Sequence, residues 1–132
     1  MPFPVDEKYV LNAEAELGVR FPDSFRNKMM KENGGEVEIG DDCFQLQPFY
    51  DTSDKKRIKR TCSSIVHETK NEREHYRLPS NLIVIGNNGG GDLLVYKIDN
   101  SGKIKPTVYW FNHETEELEF AANDFNELKV SV

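Results

Sequence analysis

The apolar run at residues 82–85 (Leu-Ile-Val-Ile), which ends at Gly86, constrains the fold of this chain more than any other segment. Its length and its β-branched content favour a strand that is buried on both faces. The glycine-rich residues 89–91 predict a turn, and the alternating pattern over 92–98 predicts a second strand. The sequence therefore predicts a sheet that contains this pair of strands.

The rest of the chain alternates helical and strand patterns in the order α-α-β-β-α-β-β-β-β-α. Predicted helices cover residues 6–17, about 22–32, about 54–76 with room for a break, and a turn or two after residue 123. Predicted strands cover residues 36–39, 44–47, 82–85, 92–98, 107–111 and 118–120. This order predicts an α+β fold: a mainly antiparallel, twisted sheet of about six strands with helices packed on it, an N-terminal helical hairpin and a short C-terminal helix.

The chain is acidic. Its 132 residues include 17 Lys and Arg against 23 Asp and Glu, for a net charge of −6. Because a nucleic-acid binder must neutralise phosphates, this charge disfavours nucleic acid, and it equally disfavours anionic membranes. It favours a basic protein partner. The length and the lack of an internal repeat or linker predict one domain over residues 1–132.

The glycine-rich segment 86–92 (Gly-Asn-Asn-Gly-Gly-Gly-Asp) invites comparison with phosphate-binding loops. Such a loop needs a following helix whose N-terminus faces the anion, whereas here a strand follows. A β-turn between strands is therefore favoured over a nucleotide site. Asp92 is expected to hydrogen-bond turn amides rather than to act in catalysis.

No pattern of catalytic or metal-ligating residues stands out. His67, His75 and His113 do not have the spacing of a zinc motif, and the serines lack a nucleophile elbow. The basic run 55–60 can contact phosphate, but it is more typical of a solvated helix face. We predict no enzyme activity, no cofactor and no metal. An enzymatic interpretation would need a pocket where a histidine and a carboxylate converge.

Two cysteines, Cys43 and Cys62, are too few for a disulfide scaffold or a four-ligand metal site. They are predicted to be free, partly buried thiols in a reducing compartment. The N-terminus lacks a basic and apolar leader, and no apolar run reaches the length of a membrane span. The protein is therefore predicted to be cytoplasmic.

Several segments, in order, resemble the SUKH superfamily, which unites fungal regulators of cell-wall synthesis with small bacterial immunity proteins. They are residues 17–25 (Leu-Gly-Val-Arg-Phe-Pro-Asp-Ser-Phe), Asn-Gly-Gly at 33–35, residues 78–86 with the following turn and Asp92, and residues 108–110, 113–114 and 125. The resemblance spans nearly the whole chain. It implies an α+β fold and a non-enzymatic role, namely binding and neutralising a cognate toxin that is often a nuclease.

The resemblance transfers no binding residues, so candidate contacts are chosen from charge and expected exposure. They are the acidic residues of the first hairpin and of the last tight turn: Glu36, Glu38, Asp41, Asp42, Glu114, Glu116 and Glu117. In this hypothesis they contact a basic cognate toxin, and the protein itself is a monomer or weak dimer. The alternative hypothesis is a regulatory or scaffolding protein-interaction module unrelated to toxins.

Overall fold

The computed structural model describes residues 2–131, in which four α-helices accompany one antiparallel sheet. The helices are α1 Glu7–Leu17, α2 Asp23–Lys31, α3 Lys55–Thr61 and α4 Ile65–His75, with a 3₁₀ turn at Phe125–Glu127. The strands are β1 Glu36–Ile39, β2 Asp42–Leu46, β3 Leu82–Asn87, β4 Leu93–Ile98, β5 Ile104–Phe111, β6 Leu118–Ala122 and β7 Lys129–Ser131. The predicted α+β class is confirmed.

The N-terminal helical hairpin is present as α1 and α2. Asp6 caps α1 by accepting a hydrogen bond from a backbone N–H of its first turn, and Gly18 ends the helix at a φ of 70°. Arg26 of α2 is buried and donates to the carboxylate of Glu14 on α1 at 3.2 Å. Because that carboxylate also accepts the N–H of Phe21, its buried charge is compensated and the two helices are held together.

The sheet has the strand order β6-β5-β4-β3-β2-β1-β7, and all neighbours are antiparallel. Strands β1 to β6 form the predicted meander. The prediction of about six strands falls one short, because β7 returns from the C-terminal region and pairs with β1, with Val130 opposite Val37. The predicted C-terminal helix is a single 3₁₀ turn before β7, and its Phe125 is buried as expected.

Apolar side chains are buried on both faces of the sheet, as the run at 82–85 predicts. Ile83 and Ile85 join the larger core, which the helical hairpin covers and in which the rings of Phe21 and Phe25 lie 5.4 Å apart. Leu82 and Val84 belong to a smaller core on the opposite face, with these partners: Leu78, Leu93, Val95 and Phe111. This second face carries the candidate site.

The single helix predicted over residues 54–76 is divided into α3 and α4. Residues 62–64 break it, and Ser64 caps α4 by accepting the N–H of His67 at 3.1 Å. A serine that accepts a hydrogen bond three residues ahead is a common start of a new helix. The break lets α4 turn away from α3 and lie against β3, with which it makes extensive contact.

Helix α4 takes the place of a strand beside the first half of β3. Strand β2 pairs only with the last two residues of β3. In the first half of β3, the hydroxyl of Thr69 accepts the N–H of Val84 at 3.0 Å, and Arg73 donates to the carbonyl of Leu82 at 3.0 Å. Side chains of α4 therefore satisfy backbone groups of β3 that would otherwise be buried without partners.

Three hairpin connections lie at one end of the sheet. In an antiparallel meander, the β1–β2, β3–β4 and β5–β6 connections fall at one end and the β2–β3 and β4–β5 connections at the other. The β1–β2, β3–β4 and β5–β6 connections are residues 40–41, 88–92 and 112–117, and together we call them the tip end. The long connection that contains α3 and α4 begins at the opposite end.

Both cysteines are exposed, so the predicted partial burial is wrong. Cys43 alternates with the buried Phe44 along β2 and therefore faces solvent. Its Sγ donates a hydrogen bond to the carboxylate of Glu36 at 3.3 Å. This hydrogen bond is the main reason that the pKa of the Cys43 thiol is raised, and burial and neighbouring carboxylates add to it. Cys43 is thereby kept in the less reactive thiol form.

Candidate partner-binding surface

The tip end gathers most of the acidic residues selected from the charge pattern. Strands β2 and β5 are three strand spacings apart, or about 14 Å. Acidic turns therefore flank the glycine-rich turn at one end of the molecule, and all of their carboxylates except that of the half-buried Asp42 are exposed: Asp41, Asp42, Glu114, Glu116 and Glu117.

Glu36 and Glu38 lie along β1 rather than in the turns. Both are exposed, and Glu38 forms an ion pair with Lys129 of β7 at 3.3 Å. The register places Glu36 opposite Gln45, and Gln45 opposite Asn87. Because residues in register share a sheet face, the two glutamates extend the acidic surface along the face of the smaller core, away from the tips.

A polar chain of hydrogen bonds joins the first hairpin to the glycine-rich turn. The side-chain amide of Asn88 donates to Asp42 at 3.4 Å. Its Oδ1 accepts the N–H groups of Gly90 at 2.9 Å and Asp92 at 3.2 Å. The glycine-rich residues therefore form a hydrogen-bonded turn, as predicted, in which the amide groups of Gly90 and Asp92 point to Asn88 and that of Gly89 points to Asn87.

Asp92 joins the glycine-rich turn to the β5–β6 turn. Its Oδ2 accepts the indole N–H of Trp110 at 2.9 Å, and its Oδ1 accepts the backbone N–H of His113 at 3.1 Å and lies 2.6 Å from His113 Nδ1. Partial burial alone would raise the pKa of Asp92, but these hydrogen bonds outweigh burial and hold the pKa below its usual value. Asp92 thus binds a turn amide as predicted, though an amide of the neighbouring turn.

A groove that the sequence did not predict lies between α4 and the tip end. It consists of two adjoining depressions of about 450 Å³ and about 290 Å³ that share Glu68, Glu72 and Gly91. Tyr76 and His113 lie along its sides. Its apolar lining comes from the smaller core: Leu78, Val84, Leu93 and Phe111. The helical spacing of Glu68 and Glu72 is the one sequence signal, since residues four apart share a helix face.

The groove raises the pKa of Glu72 above its usual value. Burial is the main reason that the pKa of Glu72 is raised, and the nearby charge of Glu68 raises it further. His113 across the groove acts in the opposite direction but does not cancel these effects. The ionised form of Glu72 is therefore held in an unfavourable environment.

Basic residues collect at the opposite end from the tips. The guanidinium groups of Arg57 and Arg60 lie 4.5 Å and 4.9 Å from the ring centre of Phe3. The carbonyl of Phe3 accepts the N–H of Asn33, just before β1 begins. The predicted solvated face of run 55–60 is present, and it gives the molecule a basic region far from its acidic turns.

A histidine and a carboxylate meet beside the groove. His113 and Asp92 are in contact, whereas His67 and His75 are exposed on α4. The residues that line the groove include no serine, threonine or cysteine in the described chain. Among residues 2–131 no three His, Cys, Asp or Glu side chains are placed to hold a metal ion. Over the same residues, no helix combines the length and apolarity needed to cross a membrane.

The chain is similar to a known protein family. No curated protein matches the chain. The sequence matches the SMI1 / KNR4 family (SUKH-1) over residues 4–129, which includes every helix and the first six strands. The match agrees with the resemblance drawn from residues 17–25, 33–35 and 78–92. The chain therefore belongs to the SMI1 / KNR4 family, SUKH-1.

Proposed function

We propose that this protein is a cytoplasmic immunity protein that binds a basic cognate toxin, most simply a nuclease, and masks its active surface. The observation that carries the proposal is the tip end, where topology brings two acidic turns together on either side of the glycine-rich turn. Membership of the SUKH-1 family supports a protein-binding role. In this proposal residues 1–132 act as one domain.

The charges of the tip end are available to a partner. Among residues 2–131, none of Asp41, Glu114, Glu116 and Glu117 forms an ion pair. A nuclease surface that binds nucleic acid must be basic, so an acidic inhibitor can cover it. Opposite charges also speed the encounter of the two proteins.

The proposed role is non-enzymatic. His113 and Asp92 do converge, but each Asp92 oxygen already accepts a hydrogen bond, one from the Trp110 indole and one from the His113 backbone. These bonds join β4 to β5 and its following turn, which is a structural task. Among the described residues that line the groove beside them, no serine, threonine or cysteine offers a nucleophile.

The test is co-expression with the product of a toxin gene, which is to be sought beside the gene of this protein. The wild type should rescue growth and co-purify with the toxin, whereas D41K/D42K should lose at least about tenfold in affinity because like charges replace attraction. The matched control is E32K/E74K, which reverses two exposed acidic residues outside the tip end. Failure of the wild type to rescue, with both proteins soluble, would refute immunity. Equal affinities of the two variants would exclude the tip end as the contact.

A further inference from the structure

The groove beside α4 combines an apolar lining with carboxylates. Leu78 and Phe111 contribute apolar surface, and Tyr76, which is 69% exposed, lies along one side. Glu68 and Glu72 occupy the helix side four residues apart. A ligand that fits such a groove has an apolar stem and a cationic head.

The two glutamates differ from the other shielded carboxylates of the protein. Both Glu68 and Glu72 are half-buried. Within residues 2–131, however, neither forms an ion pair, and the carboxylate of neither accepts a hydrogen bond. Every other buried or half-buried carboxylate in that range accepts at least one hydrogen bond: Glu14, Asp42, Asp51, Asp92, Asp99 and Asp124. The fold thus satisfies its shielded carboxylates except where they face the groove.

We propose that the groove is a receptor for an arginine side chain presented by the protein partner, which names a contact of the proposed function and rests on it. The methylene groups of the arginine would lie on Leu78 and Phe111. The planar guanidinium would stack on Tyr76 and donate to Glu68 and Glu72 together.

Arginine fits this groove better than lysine for two reasons. A guanidinium offers donors in a fixed planar fork that can reach two carboxylates, whereas an ammonium is a compact point charge. A guanidinium is also more weakly hydrated, so it loses less on entering a half-buried groove beside an aromatic ring. The other polar side chains that line the groove leave it with an excess of negative charge: Gln47, Asn71, Asn87, His113 and Glu116.

The experiment is an NMR titration of the isotope-labelled full-length protein with N-acetyl-arginine amide. We expect saturable shifts of amide signals in α4 and at Gly91 and His113, weaker ones with N-acetyl-lysine amide, and none there with N-acetyl-norleucine amide. The variant E68Q/E72Q should bind at least about tenfold more weakly, the loss typical of removing a charged partner. The variant E74Q, an exposed site on the same helix, should bind like the wild type.

Absence of saturable shifts at the groove, or equal affinity of E68Q/E72Q and wild type, would overturn the proposal. A circular-dichroism melt of each variant shows that it is folded, so a loss of binding cannot be a loss of structure. The titration needs no toxin, and it therefore separates the two proposals. Arginine binding without rescue of cells would refute the immunity proposal but support the arginine-binding groove. Rescue of cells without arginine binding would refute only the proposal for the groove.

Discussion

Glu116 has left-handed backbone geometry, with φ at 59°, in the turn between β5 and β6. This region costs an ordinary residue about 1–2 kcal/mol, and it is tolerated mainly by glycine and asparagine. Strained backbone conformations of this kind cluster at functional sites, where the function of the side chain outweighs the loss of stability. In our proposal Glu116 is kept for its charge at the tip end and beside the groove.

Replacing Glu116 by glycine should therefore stabilise the isolated protein while weakening the complex. We expect the free energy of unfolding to rise by about 0.5–1 kcal/mol, since relief of strain exceeds the extra backbone entropy of glycine. Urea unfolding measures this change. The matched variant is E114G, which removes the same charge from a turn residue without positive φ and should lower stability instead. A destabilised E116G would contradict the argument.

Asp92 makes a second prediction, which concerns pH. Its folded-state pKa is depressed, so its stabilising contribution is present above its unfolded pKa of about 4 and is lost as pH falls through the folded pKa. The variant D92N should be less stable than wild type at neutral pH by about 1–3 kcal/mol, since it loses hydrogen bonds to a charged acceptor.

The difference between the two proteins should shrink on acidification, because protonated Asp92 resembles asparagine. Urea unfolding of both proteins near neutral pH and again well below pH 4, about the usual aspartate pKa, gives the two differences. A difference that is the same at both pH values would show that Asp92 does not stabilise the fold through its charge.

At the scale of elements, the sequence predicted what depends on neighbouring residues. The apolar run of β3, the alternation in β1 and the cap of α1 are local signals, and each element is where it was predicted. Strand β7 has only three residues and exists because β1 offers an edge, so its own sequence could not reveal it. The groove likewise depends on α4 lying against the sheet, and the start of that helix at the Ser64 cap was not predicted from the sequence.

Helix α4 offers a test of its role as a substitute for a strand. The variant T69V keeps the shape of Thr69 but removes the acceptor of the buried Val84 N–H. We expect a loss of about 1–3 kcal/mol, the cost of an unsatisfied buried donor. T69S keeps the hydroxyl and should lose less. Hydrogen exchange of the Val84 amide should accelerate in T69V, and unchanged exchange would contradict this role.

The glycine-rich turn makes a separate prediction. At Gly91, with φ at 102°, a Cβ would lie 3.0 Å from atoms of the His113 ring, whereas at Gly89, with φ at 80°, it would meet nothing within 4 Å. G91A should therefore cost about 2 kcal/mol or more, from both strain and crowding, and G89A only about 1 kcal/mol, from strain. Thermal unfolding of both variants compares the costs. Equal losses would show that His113 does not pack against this turn.

At the scale of the whole molecule, charge is separated along the sheet. The tip end is acidic, while the opposite end carries the cations of α3 and, around the β4–β5 connection, Lys97, Lys103 and Lys105. The net charge of −6 therefore understates how negative the electrostatic field is at the tip end. It also has the wrong sign for the opposite end, where cations predominate. A basic partner should be oriented as well as attracted, because the two ends act on it with opposite sign.

This orientation predicts how salt affects binding of the proposed cognate toxin. The association rate constant should fall at least about tenfold between about 0.02 M and about 0.5 M salt, while dissociation changes less, since steering acts on the encounter. D41K/D42K and E32K/E74K raise the net charge by the same amount. If orientation matters, only D41K/D42K should flatten the salt dependence measured by stopped-flow fluorescence. If both variants flatten it equally, net charge alone attracts the partner, and the separation of charge along the sheet has no part in recognition.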